Sequence, residues 1–146
     1  MSSILAKLRQ FEALDTDTIS ADAIEDTAEA LKRENLQQMD AGQKADETEI
    51  YPPYAPLTIA IKRMKGQPTD RVTLKDTGSF YAGAYVIVTT DSVLTGSRDE
   101  KTVKLVEKYG EAIFGLGGQF KKDYVNNALR PAFREKILQA TGLLMK

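Results

Sequence analysis

The run Ala84-Tyr85-Val86-Ile87-Val88-Thr89-Thr90 is β-branched, aromatic and apolar on both faces, which makes it the clearest strand in the chain. Asp91-Ser92 offers a tight reversal after it, and Val93-Leu94-Thr95 a returning strand. The region therefore predicts a hairpin at about 84–96. The fold class expected is α+β: a small antiparallel sheet packed by helices, with a helical N-terminal arm over residues 1–50 and an α+β body over 51–146.

The helices are read from spacing. Ile4, Leu5, Leu8, Phe11 and Leu14 recur at helical intervals and predict a short amphipathic helix over 3–14. Asp15-Thr16-Asp17-Thr18 is a polar break with capping character. A second helix is expected from about Ser20 to Met39, striped by Ile24, Ala28, Leu31 and Met39, with Gly42 just past its end. Residues 42–57 read as a loop, and Tyr51-Pro52-Pro53-Tyr54-Ala55-Pro56 as an extended segment lying across a surface. Pro56 suits the first turn of a short helix through Ile59, Ile61 and Met64, stopped by Gly66. Ser97-Arg98-Asp99-Glu100 matches a capping box ahead of a helix carrying Val103, Val106 and Tyr109. Ile113-Phe114-Gly115-Leu116-Gly117-Gly118 reads as a glycine-broken hinge. A last helix is expected over Gln119–Ala140, with a kink or restart at Pro131 and an end at Gly142.

Composition limits the chemistry. The 146 residues suit one domain. There is no Cys and no His. Thiolate nucleophiles, disulfides, Ser-His-Asp devices and the commonest metal ligand are all absent. No apolar run approaches the ~20 residues that a membrane span requires. The first residues, Met1-Ser2-Ser3-Ile4-Leu5-Ala6-Lys7, lack the basic region and apolar core of a secretion signal.

Asp76-Thr77-Gly78 is the tripeptide of aspartic proteases, in which two carboxylates share a proton and activate water. One copy is present here, and Lys75 precedes it where those enzymes carry an apolar residue. The structural reading is a turn capped by Asp76, with Gly78 supplying a positive φ or a close contact. Lys62-Arg63-Met64-Lys65 is a small basic cluster, open to solvent, an acidic neighbour or phosphate. The net charge of −1 conceals a split. Residues 1–50 hold 12 acids and 5 bases, a net of −7, and residues 51–146 hold 9 acids and 15 bases, a net of +6. Two solvated faces differ by chance, or an acidic arm meets the basic body of a neighbour, or, last because the bases are scattered, the basic body touches nucleic acid.

The order of short segments carries a resemblance. Pro53-Tyr54-Ala55-Pro56-Leu57-Thr58, Lys65-Gly66-Gln67-Pro68 and Leu74-Lys75-Asp76-Thr77-Gly78-Ser79-Phe80 come first. Val93-Leu94-Thr95-Gly96-Ser97, Lys108 through Leu116, and Leu129-Arg130-Pro131-Ala132-Phe133 follow. Over about residues 50–140 this order resembles the head–tail joining and tail-completion proteins of tailed bacteriophages. A charged helix at Lys101–Tyr109 stands where many of those proteins place further strands. The resemblance implies a non-enzymatic virion protein forming a homo-oligomeric ring in the neck or tail. Its neighbours would be connector or portal and tail proteins, with genome DNA passing through the ring without specific recognition. It would be made in the host cytoplasm and end in the virion, with no membrane and no cofactor. Residues expected at the turn or at contacts are Tyr51, Tyr54, Asp76, Gly78, Phe80, Tyr81, Ile113, Phe114 and Leu116. The alternatives are a hydrolase built on Asp76 and an adaptor that binds a partner through Tyr51–Pro56.

Overall fold

The structure is a computed structural model that describes residues 2–142. Helices α1 (Ser2–Glu12), α2 (Thr16–Asp26) and α3 (Ala28–Asp40) lead by a long loop to α4 (Pro56–Met64). A second loop reaches the short α5 (Ser79–Ala82), the strands β1 (Ala84–Val88) and β2 (Val93–Ser97), and α6 (Thr102–Tyr109). A 3-10 turn at Glu111–Ile113 precedes α7 (Gly118–Tyr124), a π turn (Val125–Leu129) and α8 (Arg130–Thr141). This is the α+β arrangement: a two-stranded antiparallel sheet covered by helices.

The hairpin pairs Ala84 with Ser97 and Val88 with Val93. Its reversal takes four residues, because Thr89 folds the chain onto itself. The Thr89 amide donates to the Ser92 carbonyl at 2.9 Å, and its hydroxyl donates to Asp91 at 2.9 Å. β1 lies against α2 and α3, which partly covers a sheet too small to stand alone.

The core gathers Met39, Ile50, Val72, Leu74, Phe80, Tyr109 and Ile113. Leu36, Tyr54, Tyr81, Leu105, Val106 and Phe114 pack against it, half-buried. Much of the expected N-terminal arm thus enters the body. α3 packs on α7 and β1, and Met39 and Ile50 belong to the same core as Phe80. α1 lies against α8 and leaves Leu5 and Leu8 more than half exposed. The side chains of Ile4 and Phe11, which complete its expected stripe, lie outside the described residues.

Two local expectations are corrected, and a third takes a particular form. The helix over Ser20–Met39 is two helices broken at Thr27. The Thr27 hydroxyl donates back to the Ala23 carbonyl at 2.7 Å and meets the Tyr124 hydroxyl at 2.9 Å, so it competes with the helix ladder. The first of these helices starts earlier, where Asp15 caps it by accepting from the Thr18 amide at 3.1 Å. The capping box at Ser97 does not form, because Ser97 closes β2. Its hydroxyl donates to the Phe80 carbonyl at 2.7 Å and ties the strand to α5, while Asp99 accepts from the Lys101 amide at 2.8 Å. Near Pro131 the expected interruption takes the form of a change of helix type: a π turn ends at Leu129 and α8 starts at Arg130 with Pro131 in its first turn, while the backbone stays in helical φ/ψ. Leu129 (φ −70°, ψ −49°) and Arg130 (φ −57°, ψ −48°) stay helical. The preceding π turn widens the helix where the proline ring and its missing N–H would otherwise break it.

The segment read as a hinge is clamped. Asn35 donates to the Ile113 carbonyl at 3.1 Å and accepts from the Gly115 amide at 3.2 Å. Gln38, one turn on, donates to the Gly115 carbonyl and accepts from the Gly117 amide, both at 2.9 Å. Both amides are buried. Gly117 is required here: a β-carbon on it would fall 1.9 Å from the Ala45 carbonyl oxygen.

Candidate functional site

The segment from Val72 to Phe80 builds the site. Val72, Thr73 and Leu74 are all buried, and Leu74 takes a left-handed φ of +59°. A left-handed leucine costs on the order of 1–2 kcal/mol and persists only where the surroundings hold it. They do so through Thr73: the Thr73 amide donates to the Tyr54 hydroxyl at 3.0 Å, and the Tyr81 hydroxyl donates to the Thr73 carbonyl at 2.6 Å. Burial, then the nearby Asp40 and Tyr54, push the Tyr81 hydroxyl well above its ordinary value of 10.0.

The chain then turns outward at Asp76. Lys65 Nζ lies 2.6 Å from its carboxylate, and the Asp76 carbonyl accepts from Gln67 at 2.7 Å. The Lys65 hydrogen bond, more than any other cause, holds Asp76 below its ordinary 3.8. Gly78 takes the positive φ expected of it, +90°, just before α5; the expected cap by Asp76 does not form, because its carboxylate is bonded to Lys65 and the Ser79 amide donates to the Thr77 hydroxyl instead. Asp76 is exposed and ion-paired, and among the described residues no group of three or more carboxylates could hold a metal ion. A protease dyad requires a second carboxylate sharing its proton; the partner of Asp76 here is an ammonium.

Beside this turn α4 and α6 bound a cleft of about 350 Å³. Its floor is Leu74, Phe80, Leu105 and Tyr109, and five lysines line it: Lys62, Lys65, Lys75, Lys101 and Lys108. Lys62 is only 5% exposed. Its Nζ donates to the Lys75 carbonyl at 2.9 Å and to Gln67 at 3.3 Å, and sits 4.7 Å from the centre of the Tyr54 ring. With Lys62 turned inward, α4 presents its apolar residues to water. Leu57 is 73%, Ile61 44% and Met64 89% exposed. The expected helix is present; Ile59 is half-buried, while Leu57, Ile61 and Met64 face outward.

The expected contact residues divide. Tyr54, Asp76, Gly78 and Phe80 line the cleft. Phe80 and Ile113 are core residues, and the Phe114 ring packs against Phe80 at a tilt of 42°, with ring centres 5.8 Å apart. Of these turn-or-contact candidates, Phe80 and Ile113 have their side chains in the interior. Leu116 is half-buried in the clamped link, and Tyr81 is engaged with Thr73. Tyr51 is 72% exposed, whereas the Tyr54 hydroxyl is already bonded, so a ligand segment over Tyr51–Pro56 has one tyrosine to offer. Sequence reasoning missed Lys75, Lys101 and Lys108. They come from separate segments, and only the fold brings them to one rim.

No protein-family model, no curated protein and no solved structure matches this chain.

Proposed function

We propose that the chain is a structural subunit of a tailed-phage neck or tail end, a tail-completion or head–tail joining protein that acts by assembly into a ring. The observation that carries this reading is the outward apolar stripe of α4, Leu57, Ile61 and Met64. Large apolar side chains grouped on one exposed helix face mark a surface that is covered in use. Leu5 and Leu8 on α1, and Ile87, Val93 and Leu94 near the hairpin tip, add further exposed apolar surface. The order of segments along residues 50–140 supplies the phage assignment, and the lone, ion-paired Asp76 supports a role without bond chemistry. Subunits would interlock around the DNA path with connector or portal proteins on one side and tail proteins on the other. Particles made without this protein test the reading. Filled heads beside unattached tails in electron micrographs are the expected result, and normally joined tails overturn it.

A further inference from the structure

The cleft between α4 and α6 has a counterpart in the same chain. Residues 12–29 hold seven acidic side chains and no basic one. Two of them are paired within the chain: Asp26 with Lys136 at 2.8 Å and Glu29 with Lys32 at 3.0 Å. Glu12, Asp15, Asp17, Asp22 and Glu25 are exposed and have no ion pair among the described residues. Immediately before them α1 turns Leu5 and Leu8 to solvent. The cleft repeats this order with the opposite charge. Its α4 side carries Leu57, Ile61 and Met64, and of its five lysines only Lys65 is ion-paired among the described residues.

We infer that the groove between α4 and α6 receives the α1–α2 segment of a second copy of this chain. Leu5 and Leu8 cover the α4 stripe, and the acids of residues 12–25 face the exposed Lys75, Lys101 and Lys108. The inference rests on the assembly role proposed above and specifies its contact. A nucleic-acid backbone would satisfy the lysines but leave the apolar stripe in water, whereas this segment offers both halves. The two surfaces differ, so each copy that docks still presents one of each. Such head-to-tail contacts propagate until a ring closes. The charges set encounter rate and register more than affinity, and salt weakens them.

The absence of cysteine makes disulfide trapping a direct test. Full-length Leu8→Cys protein is mixed with full-length Met64→Cys protein under mild oxidation. Both positions are exposed, so folding is not at stake. The expected result is a linked dimer at several-fold the yield given by Leu8→Cys with Thr90→Cys at the hairpin turn. Adding Lys101→Glu and Lys108→Glu to the Met64→Cys chain lowers the yield, and adding Asp17→Lys and Asp22→Lys to the Leu8→Cys chain restores it. Equal yields for the two pairs overturn the inference. So does a disulfide confined to single chains when one protein carries both cysteines, since that places the segment on its own groove. If particles lacking the protein fail to join tails while the trap shows no preference, the assembly role stands and this groove assignment falls. Normally joined tails remove the role itself.

Discussion

Thr73 is held from both sides, its amide by Tyr54 and its carbonyl by Tyr81, and this decides how the neighbouring residues respond to change. Tyr81→Phe leaves the buried Thr73 carbonyl without its donor, a loss of about 1–3 kcal/mol that chemical denaturation can read. The same contact fixes an alkaline limit. The Tyr81 hydroxyl is raised in the folded chain, so its contribution is complete below pH 10.0 and declines as pH climbs above that value. Tyr81→Phe is expected to flatten that part of the stability–pH curve. Asp76 behaves oppositely. Its carboxyl is lowered by Lys65, so the pair contributes above the ordinary value of 3.8 and is lost as pH falls beneath it. Both partners are about half exposed, and water screens them. Asp76→Asn should therefore change stability by less than about 1 kcal/mol, and thermal unfolding at neutral pH checks this. A large loss there would mean the turn depends on the carboxylate itself rather than on Gly78.

Among the elements, α3 joins parts of the chain far apart in sequence. It meets α7 and β1, while Asn35 and Gln38 reach across to the link at the end of the 3-10 turn and beyond. Gln38→Leu removes a donor and an acceptor at once and strands the Gly115 carbonyl and Gly117 amide. Each buried group so stranded costs about 1–3 kcal/mol, so this exchange of similar volumes should destabilise more than Tyr81→Phe in parallel urea titrations. The hairpin was legible in the β-branched run at 84–90 because local pattern and tertiary need agree there. The short helix at 56–64 was legible through Pro56, but its orientation was not. Periodicity identifies the apolar side of a helix, and here the side chain that packs inward is Lys62, held by a carbonyl, an amide and a ring drawn from three other segments. The break at Thr27 was hidden for the same reason: its hydroxyl is claimed by Tyr124, 97 residues away.

At the scale of the molecule the charge split is written in composition, while its geometry is not. The acids come from one continuous stretch; the lysines of the rim come from α4, the loop before Asp76 and the start and end of α6. The core likewise draws Met39 and Ile50 from the first third of the chain, so the helices before residue 51 belong partly to the body. The Asn35–Gln38 clamp has one more consequence, which concerns time. The link at 113–117 has little regular secondary structure, yet the amides of Gly115 and Gly117 are bonded to buried side chains. In heavy water these two protons should exchange at the slow pace of the interior, far behind those at the hairpin's outer turn, and a solution spectrum recorded over hours would separate them.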